Sequence, residues 1–205
     1  MSKLVILLSG SPRKKGNTMA VMDECARVLE DHGVKAEVIS LADREIRACV
    51  ACYKCGKKKR CAIKGDDFEH IADKILDADG FIVGSPVYYG TARGDVLNLL
   101  QRLGMVNDSR GRPLSGKPGG PIAVARRGGH TATLQEMGMF FQICDMVVPG
   151  STYWTIAFGR CDHIVLTTSD QDPASWPENR FGSIRVAPVQ VRYSAASRPS
   201  QPSTP

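Results

Sequence analysis

Four cysteines stand close together in the first third of the sequence. Cys49, Cys52 and Cys55 are spaced by two residues each, and Cys61 follows after five more. A C-x₂-C-x₂-C start lets a short loop wrap a cuboidal cluster and present three thiolates to three irons, while a fourth thiolate arrives from farther along the chain. Structural zinc sites more often use two paired knuckles. The spacing therefore favours a 4Fe–4S cluster, with a zinc site and free thiols as the alternatives.

A basic run accompanies these cysteines. Lys57, Lys58, Lys59 and Arg60 are consecutive, and Lys54 precedes them. Positive charges of this kind stabilise neighbouring thiolates. No aromatic residues are interleaved with the run and no recognition motif accompanies it, so it does not predict nucleic-acid binding. It favours an acidic protein partner instead.

A second group of polar residues follows the first apolar segment. Residues 9–18 read Ser-Gly-Ser-Pro-Arg-Lys-Lys-Gly-Asn-Thr and lie between a predicted strand and a predicted helix. The N-terminus of a helix offers free backbone N–H groups and a favourable dipole to an anion. The segment matches neither the GxxxxGK[ST] nor the GxGxxG pattern, which disfavours an ATP loop and a dinucleotide fold. It is typical of a site for a terminal monophosphate, or of a turn rich in helix-capping residues.

Two further loops are predicted at the same edge of the sheet. Residues 84–94 read Gly-Ser-Pro-Val-Tyr-Tyr-Gly-Thr-Ala-Arg-Gly and follow the third predicted strand, and residues 125–130 follow the fourth. Open α/β sheets bind ligands at the carboxyl ends of their strands, next to the point where the strand order reverses. Tyr88 and Tyr89 could provide a stacking surface for a flat ring. We therefore expect three loops to converge on one crevice.

The elements that position these loops alternate between strand and helix. Buried strands are predicted at 3–9, 34–41, 80–84 and 121–125, with a split fifth strand at 146–148 and 152–157. Helices are predicted from about 17 to 32, 66 to 78, 95 to 103 and 131 to 144. This alternation predicts an α/β fold with a doubly wound, five-stranded parallel sheet. A cysteine-rich insertion occupies residues 42–65, and residues 159–205 form an atypical C-terminal segment that we expect to be partly disordered.

Composition excludes several classes of protein. The chain has 205 residues, 42% of them hydrophobic, and a net charge of +6. Its longest apolar run, residues 4–8, is far shorter than the ~20 residues that cross a bilayer. Seven cysteines without a recognisable export signal point to reduced thiols in the cytoplasm. We expect a cytoplasmic protein that binds neither a membrane nor nucleic acid.

The glycine-containing segments carry a family resemblance over about residues 3–158. Gly-Ser-Pro-Arg at 10–13, Gly-Asn-Thr at 16–18, Gly-Ser-Pro-Val-Tyr-Tyr-Gly at 84–90 and Gly-Gly at 128–129 resemble the flavodoxin-like NADPH-dependent FMN reductase superfamily. The compact cysteine motif is similar to that of the iron-sulfur flavoproteins, a branch of the superfamily in which FMN and a 4Fe–4S cluster share one small subunit. The resemblance makes residues 1–158 a flavodoxin-like FMN-binding domain.

The resemblance also implies roles for individual residues. The first loop would hold the FMN phosphate through Ser9, Ser11, Arg13, Asn17 and Thr18. The second and third loops would embrace the isoalloxazine ring through Pro86, Val87, Tyr88, Tyr89, Gly90, Arg126, Arg127, Gly128 and Gly129. The cluster ligands would be Cys49, Cys52, Cys55 and Cys61. No side chain is predicted to be catalytic, because flavin chemistry needs little from side chains.

The implied activity is that of a flavin-dependent oxidoreductase. It would pass electrons between a reduced donor, ferredoxin or NAD(P)H, and an acceptor through FMN and the cluster. The alternatives are a cluster-free NAD(P)H-dependent FMN or quinone reductase and a non-catalytic electron carrier. The resemblance further implies a homodimer or homotetramer.

Overall fold

The computed structural model describes residues 3–151, 154–160 and 163–166. In chain order the elements are β1 (Leu4–Ser9), α1 (Asn17–Asp31), β2 (Lys35–Ser40), α2 (Cys55–Lys58), α3 (Phe68–Asp77), β3 (Gly80–Tyr88), β4 (Thr91–Ala92), α4 (Gly94–Ser109), β5 (Gly119–Ala125), α5 (His130–Ile143), β6 (Ile156–Arg160) and β7 (His163–Leu166). Within these ranges, every helix is too short or too polar to cross a bilayer.

The strands form one mainly parallel sheet. Five of them run parallel in the order β2-β1-β3-β5-β6. β7 joins β6 in antiparallel orientation at one edge, and β4 pairs antiparallel with the end of β3. The predicted doubly wound, five-stranded parallel sheet is therefore confirmed. Because the chain moves from β1 to β2 on one side and then to β3 on the other, a crevice is expected at the carboxyl ends of β1 and β3.

Helices cover both faces of this sheet. On one face α3, α4 and α5 bury the larger hydrophobic core, in which the rings of Phe81 and Phe141 stack with centroids 5.7 Å apart. On the other face α1 packs Val21 and Met22 against Leu7 of β1. Since β1 is covered on both sides, its sequence is a continuous apolar run instead of an alternating one.

The end of β3 differs from the prediction. The sequence predicted a strand that stops at residue 84, followed by a loop. In the structure Ser85 and Pro86 still pair with β5, and Val87 and Tyr88 pair with β4. The turn between β3 and β4 contains only Tyr89 and Gly90, both with positive φ (51° and 85°), as a tight two-residue hairpin requires. The predicted ring-binding loop is thus a rigid hairpin.

The other elements differ from the prediction mainly at their ends. α4 continues to Ser109, well past the predicted end at residue 103. The insertion at 42–65, predicted as irregular, contains the single-turn helix α2. In the split fifth strand, Val147 forms an isolated bridge with Pro118, and the regular part begins at Ile156.

The sheet also continues beyond residue 158, where we expected the first domain to end. β6 runs to Arg160, and β7 adds a strand at His163–Leu166 that the sequence did not predict. The remainder of the predicted C-terminal segment, residues 167–205, lies outside the described residues. Its expected disorder therefore stays a prediction.

Two neighbouring glycines of β5 provide a test of the packing between the sheet and α5. A Cβ on Gly119 would overlap the Phe81 carbonyl oxygen and lie 2.9 Å from Phe141, whereas a Cβ on Gly120 would meet only Val148 at 3.9 Å. Gly119→Ala should therefore destabilise the fold by about 1–3 kcal/mol, the usual cost of overpacking. Gly120→Ala is the matched control. Urea unfolding measures the free energy of unfolding of both variants, and equal midpoints would contradict this packing.

Candidate functional site

The first two predicted loops meet where β1 and β3 end. The backbone N–H of Gly10 donates to the Gly84 carbonyl oxygen at 2.7 Å. Arg93, just after β4, binds both sides of this junction: its Nη1 donates to the Gly10 carbonyl at 3.1 Å, and its backbone N–H donates to Ser85 Oγ at 2.9 Å. The predicted convergence of these two loops is confirmed.

The third predicted loop touches the β3–β4 hairpin. Gly129 has a φ of +87°, and a Cβ at this position would lie 2.9 Å from both Gly90 Cα and Val87 Cγ1. Only a residue without a side chain allows the loop after β5 to approach this closely. The three loops therefore form one continuous rim around the crevice.

Glu136 of α5 holds the hairpin in place. Its Oε2 accepts a hydrogen bond from Thr91 Oγ1 at 2.6 Å and another from the backbone N–H of Ala92 at 2.9 Å. Bonds to a charged acceptor are stronger than those between neutral groups. The tip of the hairpin, Tyr89 and Gly90, is thus fixed from the side of α5.

The first loop has the features of an anion site. Ser9 Oγ is buried and has no hydrogen-bond partner in the part of the chain that the structure describes. No side chain caps α1, whose N-cap residue is Gly16, so the N–H groups of its first turn are available to a ligand. Arg13 is exposed beside them. An anionic ligand would satisfy the hydroxyl, the helix N-terminus and the guanidinium together.

The other predicted phosphate ligands are placed less favourably. Ser11 Oγ already accepts a hydrogen bond from the backbone N–H of Arg13 at 3.1 Å. Thr18 is almost fully buried, and a Cβ on Gly84 would lie 3.2 Å from its methyl group. The amide of Asn17 packs against the backbone of Gly159 in β6. All of these residues lie at the start of α1 or in the loop before it, as predicted.

The predicted ring-binding residues are open to solvent on the hairpin and the third loop. Tyr89 is fully exposed and Tyr88 is 46% exposed. Pro86 and Val87 are half-buried beneath them. In the third loop the exposed residues are Arg126, Arg127 and Gly128. This rim is suited to the faces and edge of a flat ring.

The four clustered cysteines line one small cavity. Cys49 and Cys52 are exposed, whereas Cys55 and Cys61 are half-buried against the larger core. The cavity is completed by α4, which contributes Arg102, Met105 and Val106. Among the described residues the thiols do not meet in metal-binding geometry. The four cysteines that the spacing singled out thus lie around one cavity as free thiols, but they are not arranged as metal ligands.

The backbone around these thiols is unusual. Ala51 and Tyr53 flank Cys52 with φ of 49° and 54°, and Lys59 ends α2 with a φ of 57°. Left-handed conformations cost side-chain-bearing residues about 1–2 kcal/mol each. Such conformations cluster at ligand sites, where the surrounding structure enforces them. The insertion is thus a tightly wound loop that exposes Cys49 and Cys52 and packs Cys55 and Cys61 against the core.

Polar side chains of α4 attach this insertion to the domain. Asn98 Nδ2 donates to the Ile46 carbonyl at 3.0 Å, Arg102 Nη1 to the Arg47 carbonyl at 3.0 Å, and Arg110 Nε to the Lys59 carbonyl at 2.7 Å. Asn98 and Arg102 lie on α4, and Arg110 is the residue that follows its last turn. The insertion is therefore positioned by side chains bound to its backbone carbonyls.

Two cysteines outside the insertion have a different environment. Burial raises the pKa of the Cys25 thiol and of the Cys144 thiol to about 11. Both remain protonated at neutral pH and pack as apolar side chains, as expected for buried free cysteines. Neither borders the cysteine cavity.

Three positioning residues were not predicted from the sequence. Arg93, Glu136 and Arg102 each bind a segment distant in the chain. Arg93 lies within the predicted second loop, so its position in the sequence was a signal that it could serve the site. Glu136 and Arg102 lie inside ordinary helical patterns and give no local signal.

Comparisons with known proteins identify relatives of the whole domain. The family model described as NADPH-dependent FMN reductase matches residues 3–160. An iron-sulfur flavoprotein of Methanocaldococcus jannaschii is 38% identical over 157 residues, which are 76% of this chain and 80% of that protein. The residues that the family model matches contain the five parallel strands, the three loops and the cysteine insertion.

Solved structures share the fold. RosB, solved with the bound intermediate 8-demethyl-8-formylriboflavin-5'-phosphate, superposes with a TM-score of 0.64 at 17% identity and covers 84% of this chain and 68% of its own. A flavodoxin from the domain Archaea has a TM-score of 0.51 at 15% identity, with 78% of this chain and 85% of its own covered. The predicted flavodoxin-like fold is confirmed.

The contact between Gly129 and Gly90 provides a test of the crevice. Gly129→Ala should weaken FMN binding about tenfold, because the left-handed backbone and the two short contacts would together cost about 1.4 kcal/mol by moving the third loop away from the hairpin. Gly116→Ala is the matched control, since Gly116 has the same left-handed backbone (φ +73°), lies before β5 at the opposite end of that strand, and a Cβ there meets nothing within 4 Å. Titration of the apoprotein with FMN, followed by flavin fluorescence, measures both. Equal FMN affinities for the two variants would show that the close contact between the third loop and the hairpin does not contribute to FMN binding.

Proposed function

Because the chain belongs to the NADPH-dependent FMN reductase family, we propose that it is an iron-sulfur flavoprotein that transfers electrons through FMN and a 4Fe–4S cluster. Membership makes it a flavin-dependent oxidoreductase. The observation that carries the finer proposal is the cavity lined by four free cysteines on the same domain as the three-loop crevice. When bound, FMN accepts a hydride or single electrons, and a 4Fe–4S cluster exchanges one electron at a time.

The residues of the crevice fit FMN. The buried Ser9 hydroxyl lacks a partner among the described residues, and a phosphate oxygen would supply one. The uncapped N-terminus of α1 and the charge of Arg13 match a dianionic monoester. Tyr88 and Tyr89 on the rigid hairpin offer faces to the ring, and the loop after β5 closes its other side. The protein would bind the FMN phosphate and orient the ring, and no side chain would have to move a proton.

The donor set of the insertion fits an iron–sulfur cluster. Four thiols with C-x₂-C-x₂-C-x₅-C spacing line one cavity, and none of them forms a disulfide. Thiolates are the ligands of such clusters. Among the described residues the four thiols do not converge on one point, so the exposed Cys49 and Cys52 would have to turn inward to bind a metal. The exposed lysines beside them would offset the negative charge.

The electron donor is proposed from the charge of the same surface. Lys54, Lys57, Lys58 and Lys59 are all exposed around the cysteines. A basic surface next to a redox centre favours an acidic donor protein, which makes ferredoxin the leading candidate and NAD(P)H the alternative. We also propose a homodimer or homotetramer as the assembly.

A cluster-free reductase is the second candidate function. It is favoured by the absence, among the described residues, of any group of side chains already arranged to bind a metal. In that case NAD(P)H would reduce FMN directly, FMN or a quinone would be the acceptor, and the cysteines would remain thiols or hold zinc. The two candidates differ in metal content.

Cofactor analysis of protein purified without air separates these candidates. We expect about four irons and about four acid-labile sulfides per FMN, with broad absorbance that bleaches on reduction. Cys52→Ser should lose most of the iron and sulfide and retain FMN, because the crevice is built from other residues. Cys25→Ser is the matched control, since Cys25 lies on α1 away from the cavity. FMN without iron or sulfide in the unmodified protein would make the cluster-free reductase the correct function.

Charge reversal on the insertion tests the donor. Lys57→Glu should slow reduction by ferredoxin about two- to tenfold at low ionic strength and flatten the salt dependence of the rate, because exposed charges steer association. Lys35→Glu, at the amino end of β2, is a control with the same change in net charge. Stopped-flow absorbance measures the rates. Identical rates for both variants, with the iron content preserved, would argue against an acidic donor that binds here.

A further inference from the structure

Arg102 places a guanidinium group against one of the clustered thiols. Its Nε donates to Cys61 Sγ at 3.3 Å, and its side chain is only 1% exposed. Arginine is rarely buried so completely unless it is paired. The group lies at the inner wall of the cysteine cavity, on the side of the hydrophobic core.

Other contacts fix the remaining parts of this guanidinium. Nη1 and Nη2 both face the carboxylate of Asp66, which is 2% exposed, and Nη1 also donates to the Arg47 carbonyl. The ring of Phe68 lies under the guanidinium, 4.0 Å from its carbon atom. The planar guanidinium is thus held at both ends and on one face. Its orientation leaves Nε–H directed at sulfur.

Asp66 is held as firmly as its partner. Burial alone would raise the pKa of this carboxyl, but hydrogen bonds from Arg102 and from the backbone N–H groups of Arg47 and Phe68 lower it below its ordinary value. The carboxylate therefore stays ionised and neutralises the guanidinium. The sequence predicted only that Asp66 and Asp67 begin a helix. The pair with Arg102 is an additional role that spacing could not reveal.

Attachment of the insertion to the domain does not by itself require the buried ion pair of Arg102 and Asp66. Asn98 and Arg110 attach neighbouring turns of it through simpler bonds to backbone carbonyls. A buried ion pair is often no more stabilising than apolar residues of the same volume, because both charges must be desolvated. What this pair provides, and apolar residues would not, is a fixed N–H donor at Cys61 Sγ.

A donor at this position has a defined effect on a thiolate-bound cluster. Hydrogen bonds to cluster sulfurs help to set the reduction potential. Reduction adds negative charge to the cluster and its ligands, so a fixed N–H donor stabilises the reduced state more than the oxidised state. We infer that Arg102, oriented by Asp66, is a positioning residue that fixes Cys61 and raises the reduction potential of the cluster. This inference rests on the proposed function, because it requires the cluster to be present.

Two substitutions test this role. Arg102→Lys keeps the charge but loses the planar fork that orients Nε. The double variant Arg102→Met with Asp66→Leu removes both charges together and replaces the pair with apolar side chains, a change that buried pairs often tolerate. Because it leaves the net charge unaltered, any change in its potential reports on the hydrogen bond. Arg110→Lys is the matched control, since Arg110, the residue after the end of α4, bonds the Lys59 carbonyl and Asp73 but touches no sulfur in the described structure.

Spectroelectrochemical titration without air gives the readout. In both Arg102 variants the equilibrium between oxidised and reduced cluster should shift about tenfold toward the oxidised form, which equals ~59 mV for one electron. The equilibrium between oxidised and reduced flavin in the same samples should change by less than about twofold. The same limit applies to the cluster equilibrium of Arg110→Lys. Iron loss confined to folded, FMN-loaded Arg102 variants would also support the positioning role.

Other outcomes would overturn the inference, and they are distinguishable. Arg102 variants that keep their iron and an unaltered cluster potential would show that the contact with Cys61 has no redox effect. If neither variant folds, the pair with Asp66 is structural only. Unmodified protein that contains FMN but neither iron nor sulfide would refute the proposed function itself, and the inference with it.

Discussion

The architecture of both sites depends on the way β1 and β3 end side by side. Their last residues are joined by the hydrogen bond from Gly10 to the Gly84 carbonyl, and a Cβ on Gly10 would overlap Val96 of α4. Because β1 and β3 are parallel and end together, the anion loop and the hairpin share a single edge of the sheet. Gly129 lets the third loop join them. Three segments that are far apart in sequence thereby become one crevice.

Helix α4 connects this crevice to the cysteine cavity. It begins at Gly94, directly after Arg93 has bound the Gly10 carbonyl, and two turns later it presents Arg102 to Cys61. With 1.5 Å of rise per residue, the helix carries the chain about 12 Å between these positions. A rigid helix with a fully buried inner face, including Leu99 and Leu103, holds the two sites at a constant separation.

Much of this structure could be predicted from local sequence patterns. Continuous apolar runs identified the parallel strands, and glycine and polar residues after β1, β3 and β5 identified the converging loops. The hairpin was missed because Ser85, Pro86 and Val87 read as a loop, although their backbones still pair in the sheet. The buried pair of Arg102 and Asp66 was missed for a different reason. It depends on a contact between α4 and the insertion, and neither residue has a local pattern that reveals its partner. The roles predicted for individual flavin and cluster ligands stay predictions.

The proposed function requires FMN and an iron–sulfur cluster in one subunit. Anaerobic titration with dithionite tests this requirement, because it counts the electrons that each subunit takes up and needs no spectral assignment of the individual centres. We expect about three electrons per subunit, two taken up by FMN and one by the cluster, with a cluster signal in electron paramagnetic resonance at the end point. Uptake of about two electrons per subunit, with no such signal, would contradict the presence of the cluster and leave FMN as the only redox centre.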